Sequence, residues 1–72
     1  MDYVIEVNRE LWAIEVKASR TVDDRAIKHL DTFAATHSRV TRRIVVFEGP
    51  RRMALGSAEA IPIERFLGDL PT

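Results

Sequence analysis

The sequence contains no cysteine, which excludes disulfide bridges and thiolate metal sites from this 72-residue chain. It also lacks any apolar run near the roughly 20 residues that a membrane-spanning helix needs. Its N-terminus, MDYVIEV, does not have the basic-then-apolar order of a signal peptide. Together these absences predict a cytoplasmic protein.

An excess of charge of either sign is absent as well. Eleven Lys and Arg residues balance eleven Asp and Glu residues, so the net charge does not indicate a polyanionic partner. Five arginines nevertheless fall between residues 39 and 52, with Glu48 the only acid among them. These arginines either form a phosphate-contacting edge or are a solvated rim around strand ends, and the sequence leaves both alternatives open.

The short length allows one domain, residues 1–72. A domain of this size buries only about 60% of the surface that its unfolded chain exposes, so its stability margin is thin. A partner chain would widen that margin, and we expect a homodimer to be one way of supplying it.

Two segments with alternating apolar and polar residues open the chain. DYVIEV and LWAIEVKA are separated by a polar interval that is typical of a hairpin turn. A turn of two residues pairs positions whose numbers sum to 17, so that Asp2 opposes Glu15. A register slip of one residue would set acids against the apolar face. We therefore predict that Asp2, Glu15 and Lys17 converge on one face of the hairpin, opposite Trp12.

The remaining segments predict a helix and further strands. Residues 21–37 have apolar residues at helical spacing, and Thr21 followed by Asp24 has the form of a capping box. RRIVVF, residues 42–47, is typical of a strand covered on both faces. Strand, helix and strand in this order imply a right-handed crossover, which lays residues 42–47 parallel to the second strand.

We expect a short edge strand at residues 52–55, and then an extended piece with a helical turn or two around residues 64–70. The predicted fold class is α/β (α+β), with an antiparallel hairpin, a crossover helix and a parallel strand in a small mixed sheet.

The residue types on the charged face suit metal-assisted phosphodiester hydrolysis. Asp2, Glu15 and the backbone carbonyl of Val16 would supply the oxygen ligands that Mg²⁺ prefers. The ion would polarise a phosphoryl oxygen and acidify its bound water. Lys17 would orient that water or neutralise developing charge. The alternative is an ordinary surface pair of Glu15 with Lys17, which stabilises a sheet by roughly 0.2–1 kcal/mol.

The arrangement of these residues resembles a known superfamily. Asp2, an interval of twelve residues, and then Glu15-Val16-Lys17, placed in two strands before a helix and an apolar strand, resemble the PD-(D/E)XK or restriction-endonuclease-like fold. More closely, DYVIE followed by LWAIEVKAS is similar to the C-terminal module that follows an AAA+ ATPase domain in many prokaryotic proteins. The likeness continues through AIKHLDTFAATH, RRIVVF and AIPIERF.

The resemblance implies that Asp2 and Glu15 are metal-binding acids and that Lys17 is the catalytic lysine. It also implies a Mg²⁺ cofactor and a nucleic-acid partner. In the superfamily, a helix with a further acid and another strand usually precede the Asp, and residues 1–72 contain neither of them before Asp2. The sequence has no Gly-rich phosphate loop for ATP.

We therefore expect either a C-terminal portion of the longer architecture or a chain that is completed by dimerisation. A catalytically inactive structural or oligomerisation module is the alternative function.

Trp12 and the two histidines are further side chains with the chemistry of stacking platforms or metal ligands. Trp12 falls on the apolar face, which favours the core over a base-stacking platform. His29 lies away from the apolar stripe of the predicted helix, which predicts a solvated side chain. Neither His29 nor His37 has a second ligand at zinc-site spacing, so no zinc site is predicted.

Overall fold

A computed structural model of the chain describes residues 2–70, with Asp2 described through its backbone alone. The elements follow in the order β1 Asp2–Val7, β2 Glu10–Val16, α1 Asp24–Ala35, β3 Val40–Phe47, β4 Met53–Leu55, β5 Ala58–Pro62 and α2 Ile63–Asp69. The strands form one sheet in the order β1-β2-β3-β5-β4. Strands β2, β3 and β5 are parallel, and the edge strands β1 and β4 run antiparallel to their neighbours. This architecture confirms the predicted α/β (α+β) class.

The β1–β2 hairpin has the predicted register. Asp2 pairs with Glu15 and Ile5 pairs with Trp12, so paired positions sum to 17 throughout. The two turn residues have positive φ, 51° at Asn8 and 71° in the next residue. Positive φ at both central positions is the geometry of a type I′ turn, whose twist matches that of the flanking strands.

Arg39, just before β3, holds this turn from outside the hairpin. Its Nη2 donates to the carbonyl of Arg9 at 3.1 Å and to Oε2 of Glu6 at 2.7 Å. Its own carbonyl accepts from the N–H of Leu11 at 3.1 Å. The turn is therefore tied to the strand that follows the crossover helix.

Both faces of the sheet are covered, each by one helix. One face packs against α2 through the buried residues Trp12, Ile14, Ile44, Val46, Ile61 and Phe66. The other face packs against α1 through Ala13, Ala26, Leu30, Val45 and Ala58. Trp12 is 7% exposed, which confirms its predicted place in the core.

A β-bulge shifts the pairing of β2 with β3. Leu11 pairs with Val40, whereas the next residue, Trp12, pairs with Arg42, so Thr41 is the extra residue. The shift places Arg42 on the same face as Trp12, with its guanidinium carbon 4.4 Å from the centroid of the ring. At this distance the cation interacts with the indole face.

The start of α1 corrects one prediction. The helix begins at Asp24, and the side chain of Asp23 accepts a hydrogen bond from the N–H of Ala26 at 3.1 Å. Asp23 is therefore the N-cap, and the predicted capping box of Thr21 with Asp24 is wrong. Thr21 instead lies in the preceding turn, where its N–H donates to Oγ of Ser19. Within residues 2–70, neither helix has the length and apolar character to cross a bilayer.

Position 49 lies so close to the Phe47 ring that we expect it to require glycine. A Cβ at position 49 would overlap the Phe47 ring, which is 1% exposed and has no room to move away. Overpacking of this kind costs about 1–3 kcal/mol. We predict that Gly49→Ala lowers the free energy of unfolding by that amount in urea denaturation. Gly68→Ala is the matched control, since a Cβ there meets no atom within 4 Å. Equal effects of the two substitutions would contradict this role of Gly49.

Candidate metal and phosphate site

Glu15 is a charged residue buried in the sheet. It is 4% exposed and lies in β2 between the buried residue Ile14 and the end of the strand, on the face that α1 covers. A carboxylate removed from water is costly unless cations or hydrogen-bond donors compensate it. The question is therefore which neighbouring groups compensate the charge of the buried Glu15 carboxylate.

Two basic side chains flank the Glu15 carboxylate. Nζ of Lys17 lies 3.5 Å from Oε1, and Nδ1 of His29 lies 3.4 Å from Oε2. The partners are more open to solvent than Glu15, with 37% of the Lys17 side chain and 61% of the His29 side chain exposed. A solvent-facing lysine and histidine therefore close over a buried carboxylate.

The structure brings Glu15 and Lys17 together on one side of the sheet, opposite Trp12, as predicted. Lys17 lies one residue beyond the end of β2, yet its N–H still donates to the carbonyl of Val46 at 2.8 Å. The backbone of Asp2 is paired directly with that of Glu15. The side chain of Asp2 lies outside the described part of the chain.

The carbonyl of Val16 points toward the β1 side of β2. Backbone groups of adjacent strand residues point to opposite sides, and the N–H of Lys17 points to β3. Glu15 and the Val16 carbonyl thus fit the oxygen ligands of Mg²⁺. Among the side chains that the structure describes, no three His, Asp or Glu groups are close enough to hold a metal ion. A Mg²⁺ site at this position would therefore also need Asp2.

A groove opens beside the site, between the hairpin and α1. It has a volume of about 280 Å³ and is lined by Tyr3 and Val4 of β1, Ala13 and Ile14 of β2, and His29, Leu30 and Phe33 of α1. His29 belongs to both the groove and the environment of Glu15. The groove therefore adjoins the surroundings of the buried carboxylate through His29.

A protein-family model described as "Domain of unknown function (DUF4143)" matches residues 1–66. The chain belongs to this family. Searches of curated proteins and of solved structures gave no match. Since the description of the family names no activity, the function of this DUF4143 chain must be inferred from its site.

His29 is the part of the candidate site that the sequence did not predict. Its side chain is exposed, as predicted, but it also contacts Glu15. The helical stripe predicts which residues face the sheet, here Ala26 and Leu30. It does not predict which residue on the flank of the helix meets a given strand position. That depends on how α1 lies across β2.

Four of the five clustered arginines are paired with acids in this DUF4143 domain. The pairs are Arg39 with Glu6, Arg42 with Glu59, Arg43 with Asp31, and Arg52 with both Glu59 and Asp69. The pairing supports the interpretation of this stretch as a rim of strand ends. Phosphate contacts there would have to compete with these acids.

We predict that Glu15 and His29 are energetically coupled. A double-mutant cycle with Glu15→Gln and His29→Gln, measured by urea unfolding, should give a coupling of up to about 1 kcal/mol, because the exposed histidine limits the strength of the pair. Lys28→Gln is the matched control on the neighbouring helix position and should show no coupling with Glu15→Gln. Additive effects in both cycles would mean that the contact contributes nothing to stability.

Proposed function

We propose that this DUF4143 chain is a PD-(D/E)XK nuclease-like domain that binds Mg²⁺ and binds or hydrolyses nucleic-acid phosphodiesters. One observation carries the proposal: the buried Glu15 carboxylate has Lys17 on its own face and lies directly opposite Asp2 in the hairpin register. This combination is the one that the resemblance to the superfamily implies for a catalytic centre.

The protein's own residues have distinct tasks in this proposal. Glu15, Asp2 and the Val16 carbonyl hold the cation, whose chemistry is to polarise a phosphoryl oxygen and acidify a bound water. Lys17 neutralises charge that develops on the phosphate or orients the attacking water. Because Glu15 is buried, its charge interacts more strongly with a cation than it would in bulk water.

The position of the site in the sheet also supports the proposal. Glu15 and Lys17 lie at the C-terminal end of β2, next to the parallel strand β3. In open α/β sheets, ligands bind beyond the carboxyl ends of parallel strands. We further propose that the domain is cytoplasmic and acts as a C-terminal module of an AAA+ ATPase-type protein, as the resemblance of its sequence implies.

Divalent-cation binding tests the proposal most directly. Titration with Mg²⁺ or Mn²⁺, followed by calorimetry and NMR, should perturb residues around position 15, and Glu15→Ala and Asp2→Ala should each abolish binding. Glu10→Ala removes an exposed acid from the same strand and should leave binding intact.

Cleavage assays on single- and double-stranded DNA with the same variants would then separate hydrolysis from binding. Cation binding that persists in Glu15→Ala, or no perturbation near residues 2, 15 and 17, would contradict the proposal.

A second candidate is a catalytically inactive oligomerisation module, favoured by exposed apolar residues on the α2 face. Tyr3, Val16, Ile63 and Leu67 are 37–59% exposed and border an apolar groove of about 220 Å³. Strand β1 beside them is an edge strand of the sheet, where a strand of another chain can add. A second copy packed on this face would cover these apolar residues.

Light scattering after size exclusion tests the second candidate. We predict a dimer that Leu67→Glu converts to a monomer, because a charge would be buried at the contact. Arg65→Glu is the matched control, since it alters charge on another side of the same short helix. A monomeric wild-type protein at high micromolar concentration would rule out this dimer.

A further inference from the structure

The groove between β1 and α1 begins at the candidate site. His29, whose Nδ1 lies 3.4 Å from Glu15, forms one wall of the groove. Beyond it the lining is mostly apolar and includes one aromatic ring on the α1 side, the half-buried Phe33. A volume of about 280 Å³ is at the lower limit for small-molecule pockets and suits one planar ring system.

Two basic residues and one aromatic residue, Arg25, His29 and Phe33, follow one another along the same flank of α1. Residues four apart lie on one face of a helix, so Arg25 shares the face on which His29 and Phe33 line the groove. Just beyond the helix, the His37 ring stacks on Phe33 with centroids 3.9 Å apart and planes within 9°. At 1.5 Å per residue, the flank from Arg25 to His37 is about 18 Å long. It could therefore follow several nucleotides of a backbone.

Arg25 differs from most of the clustered arginines because its guanidinium is not engaged in an ion pair with a described acid. It is exposed, and within residues 2–70 it has no acidic partner, whereas Arg39, Arg42, Arg43 and Arg52 are paired with acids. A phosphate at Arg25 would therefore displace no ion pair. The positive charge of Lys17 lies at the same end of the sheet as the start of α1.

We infer that the β1–α1 groove binds single-stranded nucleic acid, with a base against Phe33 and backbone phosphates along Arg25 and His29. The inference rests on the proposed function, because it names the substrate class of the same site. Aromatic platforms and a basic track bind single strands with little sequence preference, since every base has a face that can stack. The bases of a duplex are already stacked and paired, so a duplex would offer this groove only its phosphates.

Fluorescence anisotropy tests the groove independently of the metal. The probe is a labelled oligothymidylate of about 12 nucleotides, within the range of single-strand site sizes, measured in EDTA over a salt series. We expect binding at least about tenfold tighter than that of a duplex of the same length. Phe33→Leu should weaken binding about fivefold or more without altering the salt dependence. Arg25→Ala should reduce the slope of log affinity against log salt by about 0.7, the value for one phosphate contact on a single strand.

Matched controls separate the groove from general effects of mutation. Phe66→Leu removes a comparable aromatic ring from the other face of the sheet, and Arg65→Ala removes an exposed arginine from α2. Both should bind the oligonucleotide like the wild type, with circular dichroism confirming that all variants are folded. Equal affinity for duplex and single strand, or Phe33→Leu and Phe66→Leu behaving alike, would overturn the inference.

The two proposals fail in different experiments. Oligonucleotide binding in EDTA without any cation binding would support the nucleic-acid groove and contradict the proposed metal site. Cation binding that depends on Glu15, without preference for single strands, would do the reverse.

Discussion

The register of β1 against β2 is the constraint on which the site depends. Side chains alternate between the faces of a sheet, so a slip of β1 by one residue would turn its apolar side chains to the other face and would no longer pair Asp2 with Glu15. The two-residue turn fixes this register, although Asn8 and Arg9 must both adopt positive φ. For an arginine this conformation costs free energy, and the hydrogen bond from Arg39 to the Arg9 carbonyl helps to offset it. The pairing of Asp2 with Glu15 is thus determined at the far end of the hairpin.

A carboxylate in this position is poorly explained by stability alone. Buried ion pairs often contribute little net stabilisation, because desolvation cancels most of the attraction. Glu15 lies beside the apolar residues Ala13 and Ile14, where an apolar side chain would also pack. Its two basic neighbours have solvent-exposed side chains, which a phosphate can reach without disturbing the core. A buried carboxylate beside exposed basic side chains suits a binding site.

The parts of the fold that follow from local pattern were predictable from the sequence. The hairpin register follows from the alternation around a two-residue turn, and α1 and β3 follow from helical spacing and a β-branched run. The helix N-cap was misplaced because Thr21 and Asp23 are both good capping residues, and the choice depends on the path of the chain after β2. The Asp23 side chain is the one that reaches the N–H of Ala26.

The parts of the fold and site that depend on tertiary packing were not predictable in the same way. The bulge at Thr41 has no signature in the sequence, because it results from matching the apolar faces of β2 and β3. The contact of His29 with Glu15 depends on where α1 crosses the sheet. The sequence therefore indicated the acid and the lysine of the candidate site but not the histidine that closes it.

The strand order has a consequence for how the chain folds as it is synthesised. Strand β5 is the last strand in the sequence, yet it lies between β3 and β4 and contains the fully buried Ala60 and Ile61. During synthesis, the edge of Ile44–Phe47 that pairs with β5 therefore stays unpaired until residues 58–62 have left the ribosome. A nascent chain stalled in that interval would present an apolar strand edge to other chains, which is the condition that favours aggregation and recruits chaperones.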